Sequence, residues 1–223
     1  MKNLRTLFVL AAAFCVGAQA QTRFGAAVEL GPSIMSMKVE SPFGSTSSSE
    51  SGFGWNAGVF ADFTAGKLVV QPSVLFGMKS AKEGDASSTM TGLDIPIMVG
   101  YQIGIGSFKL RPELGPAFGL GLSWKEKYGD YKSDNLYDED EYKRFTFGLK
   151  FGAMFEINEH IALGVHFNKG LSNAFKYEES GDVPDYDDWD DWDDDWGYNK
   201  SSKSSIEEKG KWNFFSIRAA YTF

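Results

Sequence analysis

The chain has 223 residues, with 22 Lys and Arg against 30 Asp and Glu, for a formal charge of −8. Glu178 to Asp195 alone holds eleven acids and no base, so the remainder of the chain is +3 (−8 + 11). The acidity belongs to one segment, so neither nucleic-acid binding nor a generally acidic surface is implied; the length suits one domain.

The opening MKNLRTLFVLAAAFCVGAQA has a basic start (Lys2, Arg5), an apolar run from Leu7 to Val16 and an Ala18-Gln19-Ala20 site. It reads as a signal peptide, residues 1–20, cut before Gln21. The apolar run is shorter than the ~20 residues a spanning helix needs. Cys15, the one cysteine, lies in this run after Phe14, where a lipoprotein would place a small residue. Residues 21–223 therefore carry no disulfide, and their fold must stand on backbone pairing and packing.

Segments of period two follow at roughly 23–38, 53–63, 67–79 and 93–103. The clearest is FKLRPELGPAFGLGLSW from Phe108, where even positions are Phe, Leu, Pro or Trp and odd positions are Gly, Ala, Ser or charged. The same alternation returns in RFTFGLKFGAMFEI, at roughly 160–171 and at roughly 212–223, giving eight strands. The connections near 40–52, 80–92, 125–143 and 172–211 are long and polar, whereas TAG, GIGS and NE are tight turns.

This rhythm predicts an all-β, eight-stranded antiparallel up-and-down transmembrane β-barrel with long extracellular loops. A soluble barrel of eight strands would have to pack these aromatic residues into an interior only just filled by side chains. Aromatics are expected in two girdles, Trp55, Phe76, Trp124 and Phe145 near the long loops, and Phe63, Tyr101, Phe108, Phe155, Tyr221 and Phe223 near the turns. Pro72, Pro96, Pro112 and Pro116 fall inside strands and are read as bulges.

The segments GWNAGVFADF, KLVVQPSVLFGMKSAK, LDIPIMVGYQIG, KLRPELGPAFGLGL, FGLKFGAMFEI, HIALGVHFNKGLSN and the terminal AAYTF together resemble the PorT-like outer-membrane β-barrel proteins, whose architecture is similar to OmpA and OmpX. The resemblance covers nearly all of residues 21–223 and implies a fold and an outer-membrane location. The terminal Phe223, with Tyr221 two before it, also resembles the signal read by the barrel-insertion machinery. It implies little about activity.

The expected lumen collects Glu29, Asp62, Lys79, Asp94, Lys109, Arg111, Glu113, Lys150, Glu156 and Arg218, read as a mutually paired plug rather than a pore lining. His160 sits beside a turn and His166 on the lumen face, neither beside an obvious serine and acid. No catalytic residue and no cofactor is implied, and no nucleotide motif is present.

The last long loop carries VPDYDDWDDWDDDWGY. Trp189, Trp192, Trp196, Tyr186 and Tyr198 are the surface-ligand candidates, for a polysaccharide or a protein partner. Asp187, Asp188, Asp190, Asp191, Asp193, Asp194 and Asp195 are at most a loose calcium site of roughly millimolar affinity, since the spacing does not fit an EF-hand. The competing reading is a solvated acidic spacer. For function, a non-enzymatic structural or surface-interaction protein comes first, a narrow pore or uptake or secretion accessory second, and a lipid-modifying enzyme last.

Overall fold

The computed structural model describes residues 21–41, 43–129, 131–133, 135–138, 142–183 and 202–223, with backbone alone at 178–183 and 202–205. The expected signal peptide, 1–20, and the Asp/Trp segment 184–201, with all its ligand candidates, lie outside the described residues.

The strands in chain order are β1 (Gln21–Ser41), β2 (Gly44–Ala65), β3 (Leu68–Glu83), β4 (Ala86–Tyr101), β5 (Ile103–Ile105), β6 (Phe108–Tyr128), β7 (Tyr131–Lys132), β8 (Phe145–Glu156), β9 (Ile161–Gly170), β10 (Phe175–Val183) and β11 (Ser202–Thr222). Eight of them, β1, β2, β3, β4, β6, β8, β9 and β11, pair antiparallel in sequence order, and β11 closes on β1. The result is an up-and-down barrel without an edge. β5 continues β4 after a break at Gln102, while β7 and β10 pair only at the long-loop end.

Period two dictates the faces. Phe24, Val28, Leu30, Val59, Val74, Leu114, Phe151, Leu163 and Ile217 point outward and are exposed, whereas Glu29, Ser33, Asn56, Asp62, Gln71, Lys150 and Arg218 point inward and are buried. An apolar exterior around a charged interior inverts a soluble protein and is stable only where lipid is the solvent. The short turns rest on residues that tolerate a left-handed backbone, as at Gly66 with φ 62°.

Three expectations are corrected. The long loops near 40–52 and 80–92 are not loops: β1 and β2 run on to a tight turn after Ser41, and β3 and β4 to another at Gly84 with φ 56°. In 172–211, backbone pairing continues from Phe175↔Gly210 to Val183↔Ser202. Above the barrel, β2, β1, β11 and β10 thus continue side by side as a projecting four-stranded sheet.

The prolines are not bulges. Each marks a short lapse of pairing after which the register resumes unshifted: Leu30↔Ile217 and Ser33↔Phe214 flank Pro32, and Phe60↔Ser73 and Phe63↔Val70 flank Pro72. Pro72↔Ile97 and Leu75↔Asp94 bracket Pro96, Pro96↔Ala117 and Val99↔Leu114 bracket Pro116, and Gly100↔Glu113 and Ile103↔Leu110 bracket Pro112. The missing N–H removes a ladder bond without adding a residue.

The register shift recorded among the described pairs lies elsewhere. Gly92 pairs with Gly121 but Thr91 with Ser123, so Leu122 is the extra residue of a β-bulge. One extra residue reverses the facing of everything beyond it. Leu122 stays outside at 45% exposure, while Trp124, expected in the lipid-facing girdle, turns inward and is fully buried. The remaining expected girdle residues stay on the outer wall, with Trp55 against Phe76 at 6.0 Å between ring centroids.

Candidate functional site

The interior is built in three tiers. Nearest the short turns, Arg111 is held by Glu113 at 3.0 Å, Glu156 at 3.3 Å and Asp62 at 3.5 Å. Asp62 also takes Arg23 at 3.5 Å and the Gln71 amide at 2.5 Å, and Gln102 donates to Glu156 at 2.9 Å. Above this, Glu29 accepts from Lys150 at 2.5 Å and from Arg218 at 3.2 Å. Asn56 bridges Glu29 at 3.2 Å to Asp94 at 3.1 Å, and Asp94 holds Lys79 at 2.8 Å.

These partners come from β1, β2, β3, β4, β6, β8 and β11, so the network ties the wall across its diameter. The predicted lumen set is brought together except Lys109, which is exposed at the turn end of β6 and makes no contact with it. Cavities touching the network measure about 10, 20 and 30 Å³, space for a water or so each.

The third tier is apolar. Trp124 packs against Tyr142, Trp212, Tyr137 and Phe175 at centroid distances of 5.0, 5.8, 5.9 and 6.0 Å, with Met35, Ala81, Leu136 and Ala174 filling between them. The Trp124 indole N–H donates to Ser88 Oγ at 2.7 Å. The sequence reading missed this cap because Trp124 alternates in phase with Leu120 and Leu122 and the bulge leaves no mark in composition.

Beyond the cap lies a mouth of about 390 Å³. Its wall carries Glu50, Glu83, Glu126 and Glu208, interleaved with Tyr128, Tyr142, Phe175 and Tyr177. Burial, and then a hydrogen bond with the Glu83 carboxyl, raises the Glu50 carboxyl above the usual carboxylate range. On the projecting sheet outside, Lys209 bridges Glu40 at 3.3 Å and Glu207 at 2.6 Å, and Lys176 reaches Glu207 at 2.8 Å.

The histidines need one correction. His166 does lie beside an acid and a serine: Nε2 is 2.6 Å from Glu113 Oε1, and Ser216 is its direct partner across β9 and β11. These residues stand 50 or more positions apart in sequence, so cross-strand register alone unites them. Nδ1 of His166 and Oγ of Ser216 have no hydrogen-bond partner, and both residues are 1% exposed inside the wall. His160 meets Thr222 O at 2.8 Å and stacks on Tyr221 at the turn end. No three acidic, histidine or cysteine side chains among the described residues converge enough to hold a metal ion.

Residues 18–176 match the family described as outer membrane protein beta-barrel domain. The chain belongs to that family. Among solved structures the fold is similar to Neisserial surface protein A, at 12% identity over 89% of this chain and 97% of that one, TM-score 0.38. It is also similar to OprG of Pseudomonas aeruginosa, at 14% identity over 91% and 94%, TM-score 0.39. Ail of Yersinia pestis follows at 9% identity over 91% and 99%, TM-score 0.37. No curated protein matches the chain in sequence.

Proposed function

We propose that this outer-membrane barrel is a non-enzymatic surface-interaction protein, a plugged scaffold that holds a projecting sheet and the Asp/Trp loop at the cell surface. The observation that carries the reading is the sealed lumen, where a charge network spans the wall and the Trp124 cap lies over it. The cavities of about 10, 20 and 30 Å³ beside the network support a plug, and the burial of His166 and Ser216 supports the non-enzymatic reading. Within the family, the order and spacing of the quoted segments support a PorT-like member.

In this reading the signal peptide is removed, the terminal Phe223 addresses the insertion machinery, and the outer wall is solvated by membrane lipid. The long-loop end faces outward, and Trp189, Trp192 and Trp196 contact a surface polysaccharide or a protein. Single-channel recording in planar bilayers is the test: steady ion-sized steps that change with Lys150 or Arg218 substitution would establish a pore instead. Pull-down of surface partners with and without residues 183–198 then tests the loop.

A further inference from the structure

The bulge at Leu122 has a second effect, on the outside of the wall. It turns Trp124 into the cap and Glu126 and Tyr128 into the lining of the mouth, so Lys125 and Lys127, exposed between them, take the outer face. On β3, Lys82 is likewise exposed between buried Ala81 and Glu83 of the mouth. Backbone register sets these residues in a row: Lys82 pairs with Ser87, Ser87 with Lys127, and Lys127 with Lys132. Cross-strand partners share a face, so three lysines and a hydroxyl line up across β3, β4, β6 and β7, with Lys125 and its partner Thr89 one step nearer the short turns.

Two features set this row apart from an ordinary solvated surface. The first is that its charge is uncompensated. Lys38, Lys176 and Lys209, elsewhere at the long-loop end, each meet a glutamate, whereas Lys82, Lys125, Lys127 and Lys132 form no ion pair among the described residues. Lys127 and Lys132 stand directly opposite one another, about 5 Å apart at Cβ in such a pair, and like charges so placed cost stability unless an anion lies between them. The second feature is position. On the outer wall of β6 the row follows Leu120 and Leu122, both exposed, and on β3 it is reached through Phe76, Met78 and Ser80. The apolar band therefore ends where the lysines begin, at the level of lipid headgroups.

We propose that the lysine row binds a membrane lipid whose headgroup carries two phosphates, one held between Lys127 and Lys132 and the other by Lys82, with its acyl chains on Leu120 and Leu122. Lys82 and Lys127 lie two strands apart, roughly 10 Å, a span that suits a sugar headgroup phosphorylated at both ends. Each phosphate takes charge-assisted hydrogen bonds from ammonium groups, for which lysine acts as a point charge. A lipid supplies at once the negative charge that the row lacks and the chains that the adjoining wall requires; a soluble anion supplies only the first. With the long-loop end outward, the lipid belongs to the cell-surface leaflet. Neither the plug nor the Asp/Trp loop enters the site.

The test is native mass spectrometry of the detergent-purified barrel titrated with bisphosphorylated lipid A, with monophosphorylated lipid A of the same chains, phosphatidylcholine and inorganic pyrophosphate as comparators. One bisphosphorylated lipid should be retained per barrel, about fivefold more tightly than the monophosphorylated form. Lys127→Gln with Lys132→Gln should weaken it about thirtyfold and Lys82→Gln about fivefold, in proteins that keep heat-modifiable gel migration. If the double substitution prevents assembly, Lys82→Gln and Lys125→Gln singly give the charge arm. Lys67→Gln with Lys109→Gln removes the same charge at the short-turn end and should leave the affinity within about twofold. Equal retention of phosphatidylcholine, pyrophosphate bound as tightly as the lipid, or equal losses from the Lys67 and Lys109 substitutions would each overturn the assignment.

Discussion

Trp124 and Leu122 are two residues apart on β6 yet face opposite sides of the wall, the first fully buried and the second 45% exposed. In regular strand geometry they would share a face; the bulge separates them. A protein retaining Trp124 as its sole tryptophan should escape quenching by brominated acyl chains, whereas one retaining only Trp55 should be quenched. Strong quenching of Trp124 would return it to the lipid girdle.

Removal of that ring should be costly. Trp124→Ala empties the centre of the aromatic cap and leaves Ser88 without its donor, a loss of about 3–5 kcal/mol for a large core aromatic. Denaturant titration of refolded barrels in vesicles measures it. A change below about 1 kcal/mol would mean that the cap is loosely packed.

Glu29 joins two cations, Lys150 at 2.5 Å and Arg218 at 3.2 Å, that have no other carboxylate at comparable distance among the described residues. Glu29→Ala leaves both buried without it and should cost roughly 3–5 kcal/mol. Replacing all three with Leu, Met and Met should recover most of the loss, because the desolvation penalty disappears with the charges. The temperature at which the compact gel form converts to the unfolded one ranks the variants.

The mouth should respond to pH. A carboxyl raised in the folded state contributes stability below its unfolded pKa and loses it as pH rises through the folded value. Glu50 is such a group, facing Glu83 and Glu126. Wild-type protein should therefore lose stability relative to Glu50→Gln as pH rises from roughly 4 toward neutrality. Parallel pH profiles for the two proteins would remove the Glu50–Glu83 contact.

Deletion of residues 184–201 should leave assembly intact, because β10 and β11 are already paired at Val183↔Ser202. Extending the cut through Phe175 should not be neutral, since Phe175 packs on Trp124. Trp189, Trp192 and Trp196 to Ser should lower ligand capture with little change in salt dependence, whereas Asp to Asn across the loop should act chiefly at low salt. No effect from either set would argue for a spacer.

The barrel was legible because lipid imposes a period of two on every crossing. Where lipid ends, that signal ends: GSTSSSESG buries no regular face, yet it forms strand because β1 supplies a partner along its whole length. The lumen charges were legible by parity alone, so Glu29 and Lys150 could be assigned to one compartment, but not to one bond across 121 positions. His166 and Ser216 illustrate the same limit. Trp124 was misplaced because one inserted residue changes direction without changing the pattern.

The proline lapses divide the wall into unequal arcs. Pairing is interrupted at the β11–β1, β2–β3, β3–β4 and β4–β6 seams, while β1–β2, β6–β8, β8–β9 and β9–β11 run in unbroken register. One side of the cylinder is thus a stiff four-strand plate, and the other is more compliant, stitched at intervals on either side of the continuous β1–β2 pair. Lateral pressure from the bilayer will be absorbed unevenly, flattening the circle across the compliant side, and amide exchange will begin at the stitches while the plate stays protected.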